Sequence, residues 1–74
     1  MATRVTTTLA DLREAADLTL ADVARSVGTD PAAILRWERM EREPHPRFRS
    51  AYAKALGISV ERLGALIYAN RQGD

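Results

Sequence analysis

Cysteine is absent from the 74 residues, and histidine, phenylalanine and tryptophan occur once each. Because the chain has no thiolates, it cannot form disulfides, zinc–thiolate sites or iron–sulfur clusters. Long hydrophobic runs are also missing, because no apolar stretch approaches the roughly 20 residues that span a bilayer and the first eight residues carry no hydrophobic signal segment. We therefore expect a cytoplasmic protein without membrane contact.

What is present in quantity is alanine, with 13 residues against eight leucines, and arginine, with ten residues against one lysine. A hydrophobic share of 46% beside 28% charged residues is typical of a soluble, folded domain, and this length predicts a single core. The alanines suit helices packed at short range. An arginine-rich and alanine-rich composition is typical of a GC-rich genome, and bacterial and phage origins both stay open.

The net charge of +1 predicts no partner, but the charges are unevenly distributed along the chain. Residues 1–30 hold three arginines against five acidic residues, a net charge of −2. Residues 31–54 hold five arginines and one lysine against three glutamates, a net charge of +3. An arginine-dominated centre is typical of a phosphate-facing surface, although a solvated helix face has a similar composition.

The spacing of apolar residues predicts five short helices and no strand, hence an all-α domain, a compact five-helix bundle. The first helix is expected over residues 8–17 and the third over 31–40, with a loop over 43–46 because two close prolines interrupt a helix. The predicted N-caps are Thr8, Thr19, Asp30 and Ser59, and the predicted terminating glycines are Gly28 and Gly57. The last helix is expected to bury Val60, Leu63, Leu66 and Ile67.

Helices two and three are separated only by Gly28 and Thr29, which is the spacing of a helix-turn-helix. Such a motif needs a small residue where the helices cross, here Ala24, and a glycine where the turn takes a positive φ. Apolar side chains must also lock the two helices together, and the chain offers Val23, Val27, Ile34 and Trp37 at that spacing. Another small helical bundle would fit part of this pattern and stays open as an alternative.

On these residues the chain resembles the Xre/Cro family of bacterial and phage repressors, over about residues 9–67. Residues 19–24 resemble the opening of the motif's first helix, and residues 55–61 resemble the junction of helices four and five. The resemblance implies a lambda-repressor-like DNA-binding fold. It also implies that Arg13 and Glu38 form a buried pair joining helix one to the recognition helix.

Residues 46–48 resemble lambdoid phage repressors, which implies that Arg47 faces the minor groove and that Phe48 joins the core. Where the family commonly places a base-reading glutamine, this chain has Leu20. The exposed start of the recognition helix is likewise poor in hydrogen-bonding groups. That start comprises Asp30, Pro31, Ala32 and Ala33, with Leu35 one turn later.

Arg36 remains able to make a bidentate contact to guanine, and the neighbouring arginines are candidates for phosphates. The predicted DNA contacts are Arg36, Arg39, Arg47, Ala32, Leu35, Arg42 and Arg49. Other interpretations stay open, because Arg42 could pair with Glu38, Arg39 could pair with Glu43, and Arg49 could be ordinary surface.

We therefore expect a small transcriptional regulator of double-stranded DNA, a repressor that occupies its operator with helix three in the major groove. The alternative is a protein-interaction module on the same fold, because Leu20, Pro31, Ala32 and Leu35 would form an apolar strip. Catalysis is not expected, because the single His45 lies between prolines and no nucleophile or phosphate loop is evident. No metal, cofactor or small-molecule ligand is implied.

We also expect a homodimer through the C-terminal helix, because Leu66, Ile67 and Tyr68 supply more apolar surface than one small core uses. All three could equally belong to the core. The predicted organisation is a flexible N-terminal arm over residues 1–7, a helix-turn-helix domain over 8–70 with its motif at about 20–39, and a frayed C-terminus over 71–74.

Overall fold

The computed structural model describes residues 7–72, and this part of the chain contains five α-helices and no strand. The helices are α1 Leu9–Ala15, α2 Leu20–Val27, α3 Pro31–Glu38, α4 Pro46–Leu56 and α5 Val60–Gln72. The predicted all-α, five-helix fold is thereby confirmed. Most of the predicted arm and the last two residues of the predicted frayed end lie outside the described residues, and α5 includes residues 71 and 72.

Side-chain caps fix the helix starts that the sequence predicts. Thr8 and Asp11 form a reciprocal capping box at α1, and Thr19 and Asp22 form another at α2, with donor–acceptor distances of 2.9 and 3.0 Å in each. The Thr19 amide donates to the Asp22 carboxylate and holds the pKa of that carboxyl below its usual value. At α5 the Ser59 hydroxyl accepts a first-turn amide at 3.0 Å.

Two helices are shorter than the apolar spacing predicts. The first helix ends at Ala15 rather than at residue 17, because Asp17 takes a left-handed φ of 62°. The third helix ends at Glu38 rather than at residue 40, because Met40 takes a φ of 61°. Few residues other than glycine adopt this conformation, so apolar periodicity alone gives no sign of either ending.

Residues 43–46 do not form a loop throughout, because Pro46 is the first residue of α4. Proline suits this position, since its missing amide would have no partner inside the helix. His45 caps α4, with its Nδ1 accepting the Arg47 amide at 3.1 Å. The single histidine thus has a structural role that its place between two prolines did not suggest.

One hydrophobic core joins the helices, with α2 packed on both α3 and α4, and α4 packed on α5. The buried apolar residues are Leu9, Val23, Ala24, Val27, Ile34, Trp37, Tyr52, Ala53, Leu56, Leu63, Leu66 and Ile67. Ala53 is buried because α4 is covered on two sides, by α2 and by α5. Val60 was expected to be buried but is 44% exposed, since residues 60–62 all face solvent and burial begins only at Leu63.

Candidate functional site

The turn between α2 and α3 determines where the candidate surface lies. Gly28 ends α2 with a φ of 91°, and its amide donates to the Ala24 carbonyl at 2.8 Å. Two residues later the Asp30 carboxylate accepts the Ala33 amide at 2.8 Å, which opens α3. Because both helix ends are capped within three residues, the direction in which α3 leaves the turn is fixed.

The inner face of α3 attaches this helix to the core. Ile34 is fully buried, and the Trp37 ring lies between two aromatic rings of α4. Its centroid is 5.0 Å from that of Tyr52 and 5.8 Å from that of Phe48, both in tilted arrangements. Tilted aromatic pairs at such distances add to the stabilisation that burial alone provides.

A buried ion pair connects α3 to α1. The Arg13 guanidinium donates from Nε to Glu38 Oε2 at 2.6 Å and from Nη2 to Oε1 at 3.3 Å, and its Nη1 donates to the Leu18 carbonyl at 2.9 Å. The Glu38 side chain is only 5% exposed, and its hydrogen bond to Arg13 raises the pKa of the guanidinium. The pair that the resemblance implies is present, and Glu38 is not paired with Arg42.

The Tyr52 phenol lies close to this ion pair. Its hydroxyl is buried and forms no hydrogen bond with any residue that the structure describes. Burial raises the pKa of the Tyr52 phenol well above its ordinary value, and the Glu38 carboxylate raises it further, while Arg13 acts in the opposite direction. No sequence signal indicated that Tyr52 would approach two charged groups.

The outer face of α3 carries a continuous row of exposed side chains. They occupy positions i, i+3, i+4 and i+7, and we call them the outer stripe: Ala32, Leu35, Arg36 and Arg39. The first half of the outer stripe is apolar, with Leu35 38% exposed and the Pro31 ring exposed beside it. The second half is cationic. Three of the seven predicted DNA contacts therefore share one face of α3, and a fourth, Arg39, continues the row as the residue that follows the helix.

Three further predicted contacts lie outside the outer stripe, namely Arg42, Arg47 and Arg49. Arg42 is exposed and forms no ion pair with a described residue, and the same holds for Arg36 within the stripe. The Arg47 guanidinium lies 4.8 Å from the centroid of the Phe48 ring. This cation–π contact leaves the edge N–H groups of the guanidinium available to an anion.

Acidic neighbours engage two of the arginines. Arg39 lies 4.0 Å from the Glu41 carboxylate, which is a different partner from the Glu43 that its sequence position suggests. Arg49, which could have been ordinary surface, donates to the Glu43 carboxylate and to the Pro44 carbonyl, both at 3.4 Å. Its side chain is about a third exposed, so Arg49 is the least available of the candidate cations.

The apolar residues of α5 do not form the surface that the sequence suggested. Leu66 and Ile67 are both buried, so of the three residues expected to supply a dimer contact only Tyr68 is exposed, by 66% of its surface. Val60, the first residue of α5, adds exposed apolar surface at the start of the same helix. Among the described residues of α5, Val60 and Tyr68 are therefore the exposed large hydrophobic side chains, while Leu66 and Ile67 belong to the core.

Within the described residues, no group of histidine and acidic side chains could hold a metal ion. In the same part of the chain, no helix has the length and apolar character needed to cross a membrane.

Comparison with known proteins gives one positive finding, because a model of the helix-turn-helix family matches residues 9–63. The matched segment runs from the start of α1 into α5, and so includes the turn, the buried ion pair and the outer stripe. No curated protein and no solved structure matches the chain. A site on this chain therefore has to be argued from the motif and from the geometry of its own side chains.

Proposed function

This chain belongs to the Xre-like helix-turn-helix family, which comprises DNA-binding regulators rather than enzymes, and we propose its function on that basis. On our proposal the chain is a repressor that inserts α3 into the major groove of double-stranded DNA. Bound at its operator, the protein would exclude polymerase or a competing regulator from the same site. Repression then requires occupancy alone.

The observation that carries this proposal is the contrast between the two faces of α3. Its inner face is attached to α1, α2 and α4, while the outer stripe is exposed and ends in two arginines. A recognition helix needs both properties, because it must be held rigidly while its outer side chains reach the bases. The buried pair between Arg13 and Glu38 supplies rigidity without using a cation of the outer stripe.

On this proposal the arginines have two different tasks. Arg36 would read a base, because a guanidinium in the groove can donate two hydrogen bonds to guanine O6 and N7. Arg39, Arg42 and Arg47 would contact phosphates or the minor groove, which positions the protein on the duplex without reading sequence. Arg49 would contribute least, because Glu43 and Pro44 already accept its hydrogen bonds.

We further propose that the chain binds as a homodimer through α5, since one outer stripe offers few direct base contacts. Tyr68 and Val60 are the exposed apolar side chains that support this contact. Two subunits would place their recognition helices on half-sites about one helical turn apart. Tyr68→Lys should shift the sedimentation of the protein towards the monomer and weaken operator binding. Identical sedimentation of both proteins at every concentration would contradict the dimer.

Fluorescence anisotropy with a fluorescent random-sequence duplex pool tests the DNA-binding function. Titrations at low and moderate salt should show affinity that falls steeply with salt, because bound arginines release counterions from the phosphates. Binding that enriches a defined sequence from the pool would support an operator. No binding even at low salt would contradict the proposal.

A protein partner is the second candidate function, and the apolar half of the outer stripe favours it. Leu35 is 38% exposed beside the exposed Pro31 and Ala32, whereas a base-reading surface usually carries polar groups. The salt titration separates the two functions, because an apolar interface does not weaken as salt rises.

A further inference from the structure

We propose that the apolar half of the outer stripe reads the 5-methyl groups of pyrimidines in the major groove. The side chains in question are Ala32 and Leu35, with the Pro31 ring beside them. This inference rests on the proposed function, because it names the class of sequence that α3 would select. On this inference the apolar half of the outer stripe takes part in recognition. Its lack of hydrogen-bonding groups would otherwise suggest that specificity has been lost.

The first half of α3 exposes no side chain that can donate a hydrogen bond to a base. Pro31, Ala32 and Leu35 have no polar side-chain atoms, and Ile34 is buried. The neighbouring Asp30 turns its Oδ1 back to the Ala33 amide at 2.8 Å, as the cap of the helix. Since the first turns of a recognition helix lie deepest in the groove, the bases there meet hydrocarbon.

The largest apolar group on the major-groove edge of a base pair is the 5-methyl of a pyrimidine. Covering it removes hydrocarbon from water on both sides of the contact, which is favourable. Opposite guanine O6 or cytosine N4, the same Leu35 would displace water from a polar group without replacing its hydrogen bond. Leu35 therefore favours methylated positions and disfavours polar ones.

The cationic half of the outer stripe places this preference in a sequence context. Arg36 follows Leu35 directly and lies on the same exposed face of α3, with no ion pair to a described residue. A methyl contact from Leu35 and a guanine contact from Arg36 would then fall on adjacent steps of the groove. Thymine beside guanine presents these groups, and 5-methylcytosine beside guanine presents the same two.

The experiment removes the methyl groups and changes nothing else in the groove. Binders are first enriched from a random duplex pool, and the enriched pool is then copied with dUTP in place of dTTP. Each lost methyl contact should weaken binding about fourfold, since one buried methylene or methyl group contributes about 0.8 kcal/mol. The salt dependence should be the same for both copies, because the phosphates are unaltered.

Two variants connect the effect to the named side chains. Leu35→Ala should bring the affinity ratio between the thymine and uracil copies towards one, and Leu35 is exposed, so the fold should tolerate the change. Arg62→Ala, an exposed arginine on α5, should leave that ratio unchanged. Thermal unfolding monitored by circular dichroism checks that both variants remain folded.

A third pool distinguishes the two sources of the methyl group. Copied with dUTP and 5-methyl-dCTP, it carries methyl groups on cytosine alone. Enrichment of methylated cytosine beside guanine would extend the assignment to methylated DNA, and its absence would restrict the assignment to thymine.

Equal affinity for the thymine and uracil copies, with a steep salt dependence in both, would overturn the methyl inference and leave DNA binding intact. No salt-dependent binding to any pool would instead overturn the proposed function itself.

Discussion

The side chains on the inner face of α3 contact residues of other helices, whereas those on its outer face have few partners. On the inner face, Trp37 contacts two aromatic rings and Glu38 accepts two charged hydrogen bonds from α1. On the outer face, Leu35 and Arg36 form no ion pair or ring contact with a described residue, and Arg39 only reaches Glu41 at 4.0 Å. Residues 31–39 thus combine a rigid attachment on one side with an exposed surface on the other.

Stability and binding are therefore separable properties of this one short helix. A change on the inner face should lower the free energy of unfolding and leave the salt dependence of DNA binding intact. A change on the outer face should do the reverse. The variants below test that separation, those of the inner face through the free energy of unfolding and Arg36→Ala through both unfolding and operator binding.

The largest effect is expected for Glu38→Ala. Removing one partner leaves the Arg13 guanidinium poorly compensated in a largely buried site, which should lower the free energy of unfolding by about 3 kcal/mol or more. Urea unfolding followed by circular dichroism measures the change. Glu41→Ala is the matched control, because Glu41 is exposed and only 4.0 Å from Arg39, so its removal should change stability by less than about 0.5 kcal/mol.

A double variant shows whether the charge or the packing matters at this place. Replacing both partners by apolar residues, in Arg13→Met with Glu38→Leu, should restore much of the lost stability, because no unpaired charge remains. Equal losses in Glu38→Ala and Glu41→Ala would contradict the assignment of the pair as the main attachment of α3 to α1.

On the outer face, Arg36→Ala should weaken binding to the selected operator by roughly tenfold to a hundredfold, in the range of 1–3 kcal/mol for a bidentate base contact. The free energy of unfolding should not change, since Arg36 is exposed. Arg62→Ala removes the same charge from α5 and should cost little affinity. Unchanged binding in Arg36→Ala would mean that α3 is not oriented in the groove as proposed.

A substitution in the turn between α2 and α3 should have an intermediate effect on stability. Gly28→Ala should lower the free energy of unfolding by about 1–2 kcal/mol, because an L-residue is disfavoured at a φ of 91°. An added Cβ meets no atom within 4 Å, so the loss is conformational. Gly64→Ala, inside α5 and equally uncrowded, should raise stability by about 0.5–1 kcal/mol. Changes of the same sign in both would contradict this reason.

Sequence alone predicted the local parts of this architecture well. The caps at Thr8, Thr19 and Asp30 and the terminating Gly28 depend on residues within a few positions of one another, so short-range chemistry determines them. The outer stripe also follows from local order, because four residues at i, i+3, i+4 and i+7 share a helix face whatever surrounds it.

The remaining features depend on contacts between distant residues, and sequence spacing could not supply them. Arg13 and Glu38 are 25 positions apart, so their pair came from the family resemblance rather than from local order. The exposure of Val60 and the burial of Leu66 depend on which part of α5 the other helices cover. Which residues contact DNA stays a prediction.

The smallest effect at neutral pH is expected for Tyr52→Phe, and it tests the inner face from within. The hydroxyl forms no hydrogen bond with a described residue, so its removal should change the free energy of unfolding by less than about 1 kcal/mol at pH 7. At high pH the two proteins should differ more. In the wild type the folded state keeps the phenol protonated above pH 10, because burial and Glu38 raise its pKa, whereas the unfolded chain releases that proton.

The unfolded state then binds fewer protons than the folded state, so wild-type stability falls as pH rises from about 10, by up to about 1.4 kcal/mol per pH unit. Tyr52→Phe lacks this group and should lose less stability over the same interval, with the exposed Tyr68 present in both proteins as a constant. Urea unfolding at pH 9, 10 and 11 measures the difference. Parallel alkaline losses would mean that the Tyr52 phenol ionises in the folded protein as readily as in the unfolded chain, and that the inner face of α3 is more open to water than its contacts with α1 and α4 indicate.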